Sequence, residues 1–398
     1  MPGLPRQILC LQRPRHTSSD AGEIDDLLGR PAVSLDTPEL QRFLAGKVVL
    51  VTGAGGSIGS EICRQTMKFC PQRLVMVERF ENALFEIDRE LRELWVGADL
   101  RPAVADICDA TRVKRVFSRE KPDVVFHCAA HKHVPMMEAN PGEAVKNNIF
   151  GTKIVADAAR DCPCHAFVMV STDKAVNPTS VMGATKRFAE LYIQTLSAKE
   201  AAPCTRFVAV RFGNVLGSNG SVVPIFRKQI AAGGPVTVTH PEMKRYFMTI
   251  PEASQLVMQA GAIGKGGEIF LLDMGQPIRI IDLARDMIRR SGLVPDEDIE
   301  IRITGVRPGE KLYEELSAGN EQTCPTSHPK IRVWQLPEAS PQHVEGMLKV
   351  FRSVVDGPAA EVFAALGQAV PEYKPDSKRF SRTSGPAMRL VGAASEAA

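Results

Sequence analysis

The sequence predicts an α/β protein built on a doubly wound parallel sheet, with a smaller lobe toward its C-terminus. Three observations carry that expectation. The β-branched run Val48-Val49-Leu50-Val51 passes directly into the glycine-rich stretch Thr52-Gly53-Ala54-Gly55-Gly56-Ser57-Ile58-Gly59. Apolar runs of strand length then alternate with amphipathic stretches of helix length. The apolar runs are nearly continuous rather than alternating, as strands buried on both faces should be.

In chain order, residues 1–44 open rich in Pro, Arg and Ser and carry the acidic turn Glu23-Ile24-Asp25-Asp26, so they read as an extension or linker. One domain follows over 45–375, with a nucleotide-binding core mainly at 45–210. After the first strand, Leu74-Val75-Met76-Val77, Val124-Val125-Phe126 and Phe167-Val168-Met169-Val170 read as further strands. Helical patterns lie between them at 83–94 and 144–159. Val208-Ala209-Val210 and Ile269-Phe270-Leu271-Leu272 extend the sheet. Loop-rich sequence over 211–335 predicts a substrate-binding lobe. Helical periodicity returns at 344–354 and 359–369, so C-terminal helices are expected within 340–370. Residues 376–398 are dominated by small and polar residues and read as a disordered tail.

Composition narrows the function. The 49 basic and 46 acidic side chains leave a net charge of +3 without any basic block, which argues against nucleic acid as the main partner. Nine cysteines are scattered, and only Cys162 and Cys164 are close, with no second pair at zinc-site spacing. No apolar run is long enough to span a bilayer and the start is not a signal peptide, so a cytoplasmic protein is expected.

The glycine stretch suits a dinucleotide. Gly53, Gly56 and Gly59 would let the backbone turn tightly and approach a pyrophosphate seated on helix N-terminal amides, with Ser57 and Ile58 in the same turn. Glu78 closes the second strand, where a carboxylate accepts from a ribose 2′-hydroxyl and repels a 2′-phosphate. NAD is therefore expected over NADP, although Arg79 beside it could hold that phosphate. Asp106-Ile107 reads as the end of the third strand, where a carboxylate could meet the adenine; a helix cap at Asp109 is the competing use of that acidic turn.

The richest stretch for chemistry runs from Ser171-Thr172-Asp173-Lys174 to Met182-Gly183-Ala184-Thr185-Lys186. It begins at a strand end, where α/β sheets place their sites, and puts Met182 and Lys186 on one helix face. With His127-Cys128-Ala129-Ala130-His131-Lys132-His133-Val134-Pro135, Asn148-Ile149-Phe150-Gly151-Thr152, Arg211-Phe212-Gly213-Asn214-Val215-Leu216-Gly217-Ser218 and Arg307-Pro308-Gly309-Glu310-Lys311, it resembles the extended short-chain dehydrogenase/reductase superfamily of Rossmann folds. Within that superfamily it resembles the bacterial polysaccharide-biosynthesis UDP-N-acetylglucosamine 4,6-dehydratases, in matching order over about residues 20–375.

The resemblance implies that Cys128, Ala129, Ala130, Lys132 and Ser171 line the cofactor and that Lys186 holds the nicotinamide ribose. Lys132, Thr172, Asn214, Arg245, Arg307 and Glu310 match substrate-binding positions; two arginines and a lysine suit a diphosphate. Val223 is expected in an apolar wall for the base. Where the superfamily normally has a tyrosine base, this chain has Met182, which cannot move a proton. None of its four tyrosines stands at the required spacing. The resemblance implies that methionine here marks the branch that retains C5 configuration, with Lys174 as C5 base and Asp173 as acid for the C6 hydroxyl. Thr172 is then the candidate for handling the O4 proton.

That chemistry calls for a neutral Lys174 and a protonated Asp173. Burial, together with a positive Lys186 nearby, is expected to lower the Lys174 pKa. The alternatives are a C4 epimerase of the same fold, which needs no C5 base, and a non-catalytic nucleotide-binding regulator, motivated by Met182. His127, His131 and His133 are close enough for a metal, but a cofactor-lining loop fits their neighbours better. The expected partner is a UDP-sugar, with a second copy of the chain as an option. Residues 25–31 resemble the linker of membrane-anchored relatives, which leaves open an association with the membrane through the extension; a short surface helix is the competing reading.

Overall fold

The computed structural model describes residues 37–162, 164–198, 205–315, 323–335 and 339–375. The expected linker motif at 25–31 and the tail at 376–398 lie outside the described residues. Strand β1 (Val48–Thr52) is buried at every residue, which is why its side chains are apolar on both faces. It pairs in parallel with β2 (Arg73–Glu78) and β4 (Val124–His127), so that Thr52 stands level with Val77 on one side and His127 on the other.

The sheet continues through β3 (Leu100–Val104), β5 (Ala166–Val170), β6 (Arg206–Arg211) and β7 (Ile269–Leu272). Two further strands, β8 (Thr323–Pro325) and β9 (Ile331–Trp334), run antiparallel at its far edge. The full order is β8-β9-β7-β6-β5-β4-β1-β2-β3. The chain reverses its direction of winding between β1 and β4, and such a switch point opens a crevice at the carboxyl ends of the strands.

Helices cover both faces. One face packs Ile62, Leu84 and Leu256 from the helices Ser57–Met67, Glu81–Leu94 and Ile250–Ile263. The other packs Phe117, Val155 and Phe188 from Ala110–Glu120, Thr152–Asp161 and Val181–Ala198. The C-terminal helices Pro341–Val354 and Ala359–Ala369 lie on this second layer, with Phe351 edge-on to Phe188 at 5.1 Å between ring centres.

Two features depart from the sequence expectation. Part of the expected linker is a helix, Pro38–Leu44, capped by the Thr37 side chain, with Leu40, Phe43 and Leu44 buried. Phe43 meets Phe126 of β4 edge-on at 6.3 Å, so the folded domain takes in these residues as well. A seven-residue helix has almost no intrinsic stability and forms because it is packed, which periodicity over so short a span does not reveal. The long helix expected over 144–159 contains the π-helical turn Val145–Gly151, an interruption that often accompanies function. Just within it, Asn148 accepts from the His131 amide at 2.8 Å and donates to Thr185 at 3.1 Å, tying the β4 loop to the helix Val181–Ala198.

The lobe has its own core, including Phe226, Val236, Phe247, Ile281 and Met287. Short pairings fasten it to the sheet's carboxyl end, among them Asn214 opposite Phe247 and Arg245 opposite Ile278. No helix among the described residues is long and apolar enough to cross a membrane.

Candidate active site

Three carboxyl-terminal loops meet at the switch point: 53–56 after β1, 128–133 after β4 and 171–174 after β5. Gly53 adopts φ +66°, where a side chain would also press on the Ala129 backbone. A Cβ on Gly59 would run into the Gly53 carbonyl, so the helix Ser57–Met67 can start this close to the turn only with glycine there. The result is a cradle of backbone at a helix N-terminus, the geometry that suits a pyrophosphate.

At its rim the Glu78 carboxylate accepts from the amides of Arg79 (2.9 Å), Phe80 (3.1 Å) and Gly55 (3.2 Å), and is fixed by them. Arg79 lies 5.0 Å over the Phe80 ring and 3.8 Å from Asp106. Glu78, Arg79, Ile107, Ala129 and Ala130 border a hollow of about 310 Å³. Asp106 is not on that border; it accepts from the Cys108 amide, while Asp109 caps the next helix by accepting from the Arg112 amide. The strand ends earlier than the sequence suggested, at Val104; Asp109 takes the capping role, and of Asp106 and Ile107 only Ile107 borders the hollow.

A second hollow of about 560 Å³ adjoins the first, sharing Gly53, Gly56 and Cys128 with it. Ser57, Ile58, Gly59, Lys132, Ser171, Thr172, Lys174, Met182, Lys186 and Asn214 all border it, so the structure gathers most of the site residues the sequence nominated. Lys132 donates weakly to Ser218 at 3.4 Å. The Asn219 amide donates to Ser57 at 3.1 Å, closing the lobe onto the glycine turn.

Lys186 is buried, and its Nζ has no hydrogen-bond partner among the described residues. Burial pushes its ammonium down to about 8 against the pull of Glu190. A buried amine with its donors unspent, beside a backbone cradle, fits a dinucleotide whose ribose hydroxyls would accept from it.

The helix at 173–175 begins with Thr172, whose hydroxyl accepts from the Lys174 amide and donates to Asp173 Oδ1 at 3.0 Å. Lys174 Nζ donates to the same Asp173 oxygen at 3.0 Å and to Asn214 Oδ1 at 3.2 Å. Asp173 itself is fully buried and does not border the hollow; its other oxygen lies beneath Gly213. From the hollow it is reached through Thr172 and Lys174.

The charge state expected for Lys174 is corrected. Burial pushes its amine down, but Asp173 and Glu314 outweigh burial and hold it above its ordinary range, against Arg245. The opposing cation among the leading influences is Arg245 rather than Lys186, so the repulsion anticipated from Lys186 does not set the charge of Lys174.

Glu314 was missed in the sequence. It is buried, with Oε1 3.7 Å from Lys174 Nζ and 3.9 Å from Arg245. It lies just beyond Arg307-Pro308-Gly309-Glu310-Lys311, and the adjoining carboxylates Glu314-Glu315 were its only signal.

Four nominated substrate residues, Arg245, Arg307, Glu310 and Val223, stand away from the hollow. Arg245 is buried and donates to the main-chain carbonyls of Lys244, Lys311 and Leu312. Arg307 is exposed and forks onto Glu310, with Nε donating at 3.0 Å. Val223 is buried in the lobe core with Phe226 rather than in a wall of the hollow. The histidines do not converge either: His127 turns inward between Thr52 and Thr152, and His133 lies against Gly220.

Residues 49–336 match the family described as polysaccharide biosynthesis protein. The chain is 58% identical over 300 residues to the capsular polysaccharide biosynthesis protein CapD of Staphylococcus aureus, covering 75% of this chain and 50% of that one. It spans about half the length of two of the curated relatives that it matches. An inverting UDP-N-acetylglucosamine 4,6-dehydratase of Campylobacter jejuni is 33% identical over 278 residues, 69% of this chain and 79% of the relative. Among solved structures, Pen from Bacillus thuringiensis superposes with a TM-score of 0.69 at 38% identity, covering 75% of this chain and 90% of that one.

Proposed function

The chain belongs to this polysaccharide biosynthesis family, among the nucleotide-sugar dehydratases and epimerases of the extended short-chain dehydrogenase superfamily, and we propose that it is a UDP-N-acetylglucosamine 4,6-dehydratase. Its product would be a UDP-4-keto-6-deoxy-N-acetylhexosamine for a surface glycan. The observation that carries this reading is the Thr172–Asp173–Lys174 cluster, in which half-buried Thr172 and Lys174 border a hollow beside the nucleotide cradle and join it to the buried Asp173. An epimerase needs no C5 base and would have no use for it.

NAD, when bound, supplies the hydride acceptor at C4 and the hydride donor at C6. The 53–59 turn would hold its pyrophosphate, Glu78 a ribose, and Lys186 the nicotinamide ribose. NAD is favoured over NADP because Glu78 is fixed at the rim by three amides and Arg79 is turned toward Asp106.

The protons are moved by the chain. Thr172 Oγ1 takes the O4 proton as its own passes to Asp173, along the hydrogen bond between them. Oxidation at C4 makes the C5 proton acidic, and Lys174 Nζ removes it. The proton stored on Asp173 leaves through Thr172 or Lys174 to the C6 oxygen, which departs as water. Lys174 then delivers one of its exchangeable Nζ protons to C5. Met182, bordering the hollow where a tyrosine would stand, takes no part in proton transfer, which suits the branch that retains C5 configuration.

The test is incubation with UDP-N-acetylglucosamine and NAD in D2O, followed by NMR of the sugar. A 4-keto-6-deoxy product with deuterium at a retained C5 is expected. A 4-epimer would replace the reading by the epimerase; an inverted C5 would overturn the branch assignment; no turnover would leave a nucleotide-binding regulator.

A further inference from the structure

Lys174 is held by groups from four parts of the chain. Asp173 adjoins it, Asn214 comes from the end of β6, Glu314 from the segment after the lobe, and Arg245 backs Glu314. Lys311, the remaining charge near Glu314, donates to the Val176 carbonyl at 3.0 Å. Two cations thus face two buried carboxylates, and the ammonium is the stable resting form. A C5 base must be an amine, so its proton needs somewhere to go.

With substrate filling the hollow that Lys174 borders, solvent is a poor destination, because the other side of Lys174 is taken by Glu314, which is buried and does not border the hollow. Asp173 is a poor one too, since it must stay ionised to receive the O4 proton and already accepts from Thr172 and Lys174. Glu314 differs. Its ion pairs are long where that of Asp173 is short, and its Oε2, like Asp173 Oδ2, is buried with no hydrogen-bond partner among the described residues. A buried carboxylate oxygen without a donor is unfavourable as the anion, and protonation relieves that.

We propose that Glu314 takes the Nζ proton when Lys174 becomes the C5 base. One N–H bond breaks and one O–H bond forms; ammonium and carboxylate become amine and carboxylic acid, with no net change of charge in the cluster. The 3.7 Å gap closes by a small approach of the two side chains or through one water. Burial raises the Glu314 carboxyl above its usual range, with Asp173 adding to it and Lys174, Arg245 and Lys311 opposing, which brings acid and base closer together. Glu314 touches no substrate and acts through Lys174, as a positioning residue.

This inference rests on the dehydratase reading, and its test separates the two. The full chain with NAD and UDP-N-acetylglucosamine in D2O is compared with Glu314→Gln and Glu314→Asp from pH 6.5 to 8.5. Deuterium exchange at C5 should vary little with pH in the unmodified chain. In E314Q, Lys174 must release its proton to solvent, so exchange should fall at least about tenfold at pH 6.5 and recover roughly tenfold per pH unit. E314D should restore much of the flat profile. An E314Q profile parallel to the parent, whether reduced or not, overturns the proposal.

If E314Q is inactive throughout, infrared spectroscopy of the substrate-free protein decides. A carboxylic-acid band titrating above the ordinary glutamate range and missing in E314Q supports the assignment; its absence overturns it. No exchange in the unmodified chain sinks the dehydratase reading while leaving the infrared result to judge Glu314.

Discussion

His127 offers a quantitative test of how the site is built. It ends β4 level with Thr52 and is buried, with Nδ1 2.8 Å from Thr52 Oγ1 and Nε2 3.0 Å from Thr152 Oγ1. Both hydroxyls can donate or accept, so the neutral ring is satisfied in either tautomer. Burial, and then the charge of Lys186, lower its pKa from 6.5 to about 3. The folded state keeps the ring neutral while the unfolded chain protonates it below pH 6.5. This contribution is therefore fully present above pH 6.5 and is lost as pH falls toward 3. At pH 5.0 the gap is 1.5 pH units at about 1.36 kcal/mol each, or about 2 kcal/mol. Urea unfolding at pH 7.5 and 5.0 should show the parent losing about 2 kcal/mol more than His127→Gln across that interval. Carboxylates titrating in the same window are common to both proteins and cancel. Equal losses in the two proteins, or an imidazole that titrates near pH 6.5 by NMR, would refute the reasoning.

Lys174→Ala should lower turnover by about 10²–10⁴-fold and abolish C5 deuterium exchange while leaving NAD binding within about twofold, as read by calorimetry. Gly59→Ala drives a Cβ into the Gly53 carbonyl. It should weaken NAD binding by at least about a hundredfold, roughly the loss of one well-formed contact set at a helix N-terminus, with circular dichroism unchanged. Glu190 accepts from Ser171 and from Arg211 Nε, each at 2.6 Å, and the Arg211 side chain is fully buried. Glu190→Gln removes that counterion and should cost about 3–5 kcal/mol of unfolding free energy by urea titration; a loss under about 1 kcal/mol would mean the pair is not needed.

The parallel strands and the glycine turn were legible because both are local. A strand buried on two faces spells a continuous apolar run, and a turn that admits backbone alone spells glycine. The same holds for Thr172, Asp173 and Lys174, which follow directly from the end of β5. What depends on distant packing was not legible. The charge on Lys174 is set by Glu314 and Arg245, brought to it by the folding of the lobe. Val223 reads as apolar wherever it goes, and only the fold decides between the lobe core and a wall of the site. Arg245 has the chemistry of a phosphate ligand, yet the carbonyls of Lys244, Lys311 and Leu312 take its donors. The edge strand β8 gave no signal because a short edge strand needs little apolar sequence.

The helix Val181–Ala198 shows how the site keeps one cation ready for a ligand. Met182, Lys186 and Glu190 follow at intervals of four residues, so they share one face of the helix beneath the strand ends. An i,i+4 lysine and glutamate would ordinarily pair. Here both Glu190 oxygens are engaged by Ser171, Arg211 and Arg187 instead. Glu190 still attracts Lys186 through space but does not accept from it, and Met182 on the other side offers no acceptor of comparable strength. The Arg211–Glu190 pair therefore does more than hold β6 to the helix: by occupying the carboxylate it leaves the Lys186 donors unspent. On that logic Arg211→Met, which frees Glu190 to take Lys186, should weaken ribose binding at Lys186 even though Arg211 does not border the site.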